Sequence, residues 1–186
     1  MKHLPLLTTE ELDPEIRTTL EKRGYDLAIF HAIAHWPEAF MKWSALSGTT
    51  WVEEDDGFPL LLKEMAVVCT SALSNSSYEC GNHGVQMIRR GGTQEQLDAI
   101  VAGNIDSNLF DDMQKLVLQF TKEVTLDGKA SEASLTEMSK HYNPRQIMQL
   151  IVGICMYMMN SRLASACGCE LGDDEDFGMF SLGRKT

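Results

Sequence analysis

Residues 143–168 constrain this chain more than any other stretch. Asn143-Pro144 places an N-cap acceptor before a proline at the first helical position, which starts a helix. A helical run follows from Arg145 to Ala166, and Gly168 ends it. Its most apolar part, Ile147 to Met159, is shorter than the roughly 20 residues that cross a bilayer and reads as a buried core helix. Met148, Met156, Met158 and Met159 recur in it at helical spacing, as core or subunit-interface residues do. A helix apolar around so much of its circumference has to be surrounded, so the fold must supply other helices or a second copy of the chain to cover it.

The rest of the sequence supplies helices. Asp13-Pro14-Glu15 opens one that ends at Gly24, and Tyr25–Ala34 and Pro37–Leu46 read as two more, with Gly48 closing that layer. Glu53-Glu-Asp-Asp-Gly57 reads as a solvated acidic loop. Pro59 starts a helix with Leu61, Met65, Val68 and Ala72 at helical spacing and Glu64 near its centre. Asn75-Ser76-Ser77 is a turn, and Tyr78–Arg90 continues as a helix stopped by Gly91-Gly92. Thr93-Gln-Glu-Gln96 is a capping box, Ser107 or Asn108 opens a helix that runs to Leu126, and Ser131 caps another. No segment alternates with period two, so the expected class is an all-α bundle in a single domain, residues 1–186.

Composition narrows the partners. The chain has 186 residues, 44% of them hydrophobic and 23% charged, enough for one full core without a disordered bulk. With 27 acidic against 16 basic residues the net charge is −11, which repels phosphate backbones and anionic lipid. Nucleic acid and membrane are therefore not expected as partners. The apolar stretch after Met1 is broken by Pro5 and is too short for an export signal. Five scattered cysteines, an odd number, read as reduced thiols, and the expected compartment is cytoplasmic.

Chemistry concentrates in Ser76-Ser-Tyr-Glu79-Cys80-Gly-Asn-His83, together with Glu64 on the preceding helix. Glu79 and His83 are four residues apart and share a helical face, where a carboxylate can hold an imidazole's tautomer or share its proton. With Glu64 across the hairpin, His83 would stand between two carboxylates and be poised for general acid/base work. Ser76-x-x-Glu79 is also a capping box, in which case Glu79 would do no more than hold a helix end. The spacing is not the H-E-x-x-H zinc signature and no second histidine is near, so no metal is expected. Cys80 lies near a helix start that favours a thiolate, but Glu79 beside it opposes this. Cys167-Gly-Cys169 reads as structural. Arg162, after an apolar run, needs a carboxylate partner, either an acid of the protein or one on a substrate.

The stretch from Phe58 to Gly92 resembles the core motif of the carboxymuconolactone decarboxylase / alkyl hydroperoxidase D family. That motif has a glutamate, a twelve-residue step, then C-x-x-C-x-x-x-H. Glu64 matches the glutamate, Ser76 and Glu79 fall at the two cysteine positions, Tyr78 at an intervening relay position, and His83 at the histidine. Phe120-Thr-Lys-Glu-Val-Thr-Leu-Asp-Gly128 and Asn160-Ser-Arg-Leu163 extend the likeness more loosely. The resemblance implies a helical bundle of the alkyl hydroperoxidase D-like type. It divides the chain into an N-terminal helical extension (1–57), a family core (58–172) and an acidic tail (173–186). It also implies a homo-oligomer, a trimer or hexamer, acting on a small-molecule substrate without a cofactor.

A serine and a carboxylate cannot replace a redox dithiol, so thiol peroxidase chemistry by the family's usual route is not expected. The arrangement is similar to a non-redox branch, with Cys80 at a usual tryptophan position. For that branch the resemblance implies acid/base chemistry on a small organic acid or lactone: decarboxylation, isomerisation, hydration or elimination. His83 would move the proton, Glu79 would orient it or act as partner acid, and Glu64 would tune the pair. Tyr78 or Ser76 would donate to developing oxyanion charge, and Arg162 would take a substrate carboxylate. The alternatives are a peroxidase using Cys80 alone and a non-catalytic oligomeric scaffold.

Overall fold

The computed structural model describes residues 4–51 and 57–169. Among these residues the chain forms nine α-helices and no strand: α1 (Pro14–Arg23), α2 (Ala28–Ile33), α3 (Pro37–Thr50), α4 (Leu60–Leu73), α5 (Ser77–Arg89), α6 (Gln94–Val101), α7 (Asp112–Asp127), α8 (Glu132–His141) and α9 (Pro144–Cys167). The acidic run 53–56 and the tail 173–186 lie outside the described residues.

Side-chain caps fix most helix starts where the sequence marks them. Asp13, Thr93, Ser131 and Asn143 each accept from a backbone N–H of the helix they open. Three boundaries differ. The helix expected over Tyr25–Ala34 is confined to Ala28–Ile33, because Asp26 accepts from Leu27 N and from His31 Nε2 and holds Leu27 extended. α3 continues through Gly48 to Thr50, where the expected boundary was Leu46. α7 begins at Asp112 and not near Ser107, since Asp111 and Gln114 form the capping box and Phe110 is buried in the turn before it.

α4 is the central element. Every residue from Leu62 to Ser71 is buried, and the helix packs against α5, α6, α7 and α9. Its apolar face joins Phe110, Leu118, Phe120, Met138 and Ile154 in the larger core. A second core gathers α1, α2 and α3 around Ile16, Phe30 and Phe40 and reaches Tyr78 and Ala164. α9 is 24 residues long, longer than its most apolar stretch, and by length and composition it would suffice to cross a membrane. It is packed by α2, α3, α4, α5, α7 and α8, which cover part of its circumference and leave Met148 and Met159 exposed.

Between α4 and α5 the chain turns at Asn75, whose φ of 54° is left-handed, a conformation asparagine tolerates better than most residues. This turn lays α5 along α4 and brings Glu79 and His83 opposite Glu64. Lys63, only 1% exposed, sends its ammonium to the Thr50 carbonyl at the end of α3 and lies 5.5 Å from the Trp51 ring. A cation at the negative end of a helix dipole is favourable, and here it fixes where Trp51 sits.

Candidate active site

α5 and its C-cap Arg90 present Glu79, Asn82, His83, Gln86 and Arg90 on one face, at positions i, i+3, i+4, i+7 and i+11. Together with α3, α4, α9 and the residues around α2 this face lines a cavity of about 330 Å³. Its wall combines the aromatic rings of Tyr25, Phe30, Trp43, Trp51 and Tyr157 with polar and charged side chains, Glu64, Glu79, His83 and Arg90 among them.

His83 is clamped on three sides. Its Nδ1 lies 2.7 Å from Glu64 Oε2, its ring stacks on Trp51 (5.5 Å between centroids, 19° between planes), and Tyr157 meets it edge-on at 4.5 Å. Trp51 Nε1 donates to the Tyr157 hydroxyl at 3.2 Å, so the two walls hold each other. Across the cavity, Trp43 Nε1 donates to Asn160 Oδ1 at 3.0 Å and ties α3 to α9.

Glu64, 2% exposed, also accepts from Arg90 Nε at 3.2 Å. Held as an acceptor from both sides, it leaves His83 Nδ1 as the donor and turns Nε2 toward Glu79 Oε2, 3.8 Å away. Burial lowers the basicity of His83, but Glu64 and then Glu79 outweigh it, so the imidazole pKa is raised above its ordinary value. Glu79 is 4% exposed, and burial pushes its pKa up to about 7 against the pull of His83. Its carboxylate is not used as a helix cap. Ser76 Oγ accepts from Glu79 N at 3.4 Å, but Ser76 N donates to Ser71 O and not back to Glu79. The acidic side chain is left to the cavity and His83.

Glu64, Glu79 and His83, singled out in the sequence, are thus brought together around one cavity. Four other candidates are not. Tyr78 is buried in the N-terminal core, its hydroxyl accepts from Ile29 N at 3.3 Å, and burial raises its pKa. Ser76 is buried as the α5 cap. Cys80 faces the Val68 carbonyl at 3.8 Å, and burial, then Glu79, push its thiol up to about 11. Arg162 is exposed and donates to Met158 O at 2.7 Å, one turn back on its own helix. None of the four lines the cavity.

Sequence reasoning missed Arg23, Trp43, Trp51, Asn82, Arg90, Tyr157 and Asn160, all of which line it. Following the helical face of Glu79 and His83 to three residues after Glu79 and seven after His83 would have found Asn82 and Arg90, and Tyr157 and Asn160 stand three residues apart on α9. Nothing local marks Arg23 or Trp51, which reach the cavity through tertiary packing. Among the described residues no cluster of three or more His, Cys, Asp or Glu side chains is arranged to hold a metal ion.

No protein-family model matches the chain, and no curated protein matches it in sequence. Solved structures do match its fold. The AhpD core of an uncharacterized peroxidase-related protein from Ralstonia eutropha JMP134 is 20% identical, over 91% of each chain, with a TM-score of 0.78. An uncharacterized peroxidase-related protein from Silicibacter sp. TM1040 is 21% identical, over 94% of this chain and 92% of its own, with a TM-score of 0.77. The debrominase Bmp8, as a cysteine-to-alanine variant bound to 2,3,4-tribromopyrrole, is 12% identical over 93% of each chain, with a TM-score of 0.75. The chain thus has the AhpD-like fold, with Ser76 and Glu79 where the motif it resembles carries its paired cysteines.

Proposed function

We propose that the chain is an enzyme that transfers protons at the carbon skeleton of a small organic acid or lactone, using the Glu79–His83 pair. The observation that carries this reading is the row Glu64–His83–Glu79 facing a cavity walled in part by aromatic rings, with its inner end clamped and its outer end free to react. Glu64 and Arg90 position the imidazole, and Glu79 and Nε2 of His83 share one proton. In one distribution the imidazole is neutral and Glu79 is an acid; in the other Glu79 is a carboxylate beside an imidazolium. A substrate carbon next to a carbonyl loses its proton to the basic member, and the other member returns a proton elsewhere on the skeleton. That sequence serves isomerisation and elimination, and protonation of the carbanion left by loss of carbon dioxide serves decarboxylation. Burial of Glu64 and Glu79 strengthens these electrostatic interactions.

The thiol alternative has weaker support, because Cys80 is turned away from the cavity and its thiol is held protonated near neutral pH. The scaffold alternative would be favoured by a Glu79 spent on capping, and Glu79 is not so spent. The expected homo-oligomer and cytoplasmic location belong to this proposal as well, the former supported by the exposed Met148 and Met159 on α9. His83→Ala is expected to abolish turnover of the responsive lactone or acid while the helical circular dichroism stays unchanged. Retained turnover would remove the assignment.

A further inference from the structure

Arg23, at the end of α1, stands apart from the proton-transfer groups yet lines the same cavity. Three of its hydrogen bonds are accounted for: Nη2 donates to Ser44 O at 2.9 Å and to Ser44 Oγ at 2.8 Å, and Nη1 to the Tyr25 hydroxyl at 3.3 Å. Its Nε–H and one Nη1–H have no acceptor among the described residues. The Cζ atom lies 5.4 Å from the centre of the Phe30 ring, 5.8 Å from Trp43 and 6.0 Å from Tyr25, an aromatic frame that fixes the guanidinium.

No carboxylate among the described residues pairs with Arg23, although the chain carries a net charge of −11. The cavity's other guanidinium, Arg90, is already on Glu64. A fixed, half-buried cation with unused donors in an aromatic cavity is completed by an anion, and a guanidinium matches a carboxylate best. The aromatic walls call for a flat, conjugated body attached to it.

We propose that Arg23 anchors the carboxylate of the substrate, which is a flat unsaturated organic acid, and so selects acids over their neutral analogues. The role read in the sequence for Arg162 falls instead to this residue. The proposal rests on the cavity being the substrate site, but its test reads binding and not turnover.

The test is isothermal titration calorimetry of the full chain at pH 7 with trans-cinnamate and with its neutral isostere cinnamamide. The protein is expected to bind cinnamate at least about tenfold more tightly, as loss of a charge-assisted hydrogen bond requires. Arg23→Gln should erase that difference, and Arg23→Lys should keep part of it. Equal affinity of the natural protein for both probes, or binding of neither, overturns the proposal without any variant, as does an Arg23→Gln protein that keeps the preference. If Arg23→Gln loses the preference but no proton-transfer activity exists, the anchor stands and the proposed function falls. If activity exists and Arg23→Gln still prefers cinnamate, the function stands and the anchor falls.

Discussion

Glu64 Oε2 and His83 Nδ1 lie 2.7 Å apart, joining two helices through residues separated by 19 positions. This bond selects which imidazole nitrogen faces Glu79 and the cavity. Glu64→Gln keeps the shape but removes the charge that most raises the His83 pKa, so burial then dominates and the imidazole pKa should fall. Histidine signals followed by NMR through a pH titration check this directly. Turnover should drop by about a hundredfold, the lower range of what a positioned acid or base contributes.

Burial of Glu79 has a consequence for stability. Its folded pKa, about 7, is raised from 4.5, so its favourable linkage is fully present below pH 4.5 and is lost as pH rises through 7. His83, raised above 6.5, acts with the same sign: its contribution is present below 6.5 and is lost as pH rises through the folded value. Stability against urea should therefore fall between pH 5 and pH 8. Glu79→Gln should flatten that dependence and be the more stable protein at pH 8, by on the order of 1–3 kcal/mol.

The wall behind His83 can be tested separately. Trp51→Ala removes the ring that stacks on His83 and the donor to Tyr157. It should raise KM and lower kcat together, since both the cavity wall and the imidazole's position are lost, whereas Tyr157→Phe should have the smaller effect because only the hydroxyl goes. Steady-state kinetics on the two variants distinguish these outcomes.

Cys80 separates acid/base chemistry from thiol chemistry. Its Sγ faces the Val68 carbonyl and it does not line the cavity, so the near-isosteric Cys80→Ser should retain turnover within about twofold. The natural protein should not consume hydroperoxide with a thiol reductant. Consumption that disappears in Cys80→Ser would favour the peroxidase alternative.

The helices were largely legible because capping chemistry is local: Asp13, Thr93, Ser131 and Asn143 mark starts that the structure shares. The misplaced start of α7 shows the limit. Ser107 and Asn108 are good cap residues in isolation, but Asp111 combines a cap with Gln114 and with burial of Phe110. Asp111→Ala should accordingly cost about 1 kcal/mol in chemical denaturation. Glu64, Glu79 and His83 were legible because two lie on one helix and the third sits on its hairpin partner. Arg23, Trp51 and Tyr157 were not, since they reach the hairpin only by tertiary packing, Trp51 and Tyr157 in a small cluster with Val67 and Met156. Tyr78 stands beside Glu79 in the sequence, but its side chain is drawn into the N-terminal core and does not line the cavity.

The most direct measurement is solvent deuterium uptake at carbon, followed by NMR, when small unsaturated acids and lactones are incubated with the protein in heavy water. The account predicts uptake with the natural sequence that is lost in both His83→Ala and Glu79→Gln, while Cys80→Ser retains it. Uptake that persists without His83 and Glu79, or none from the natural protein on any such compound, would contradict it.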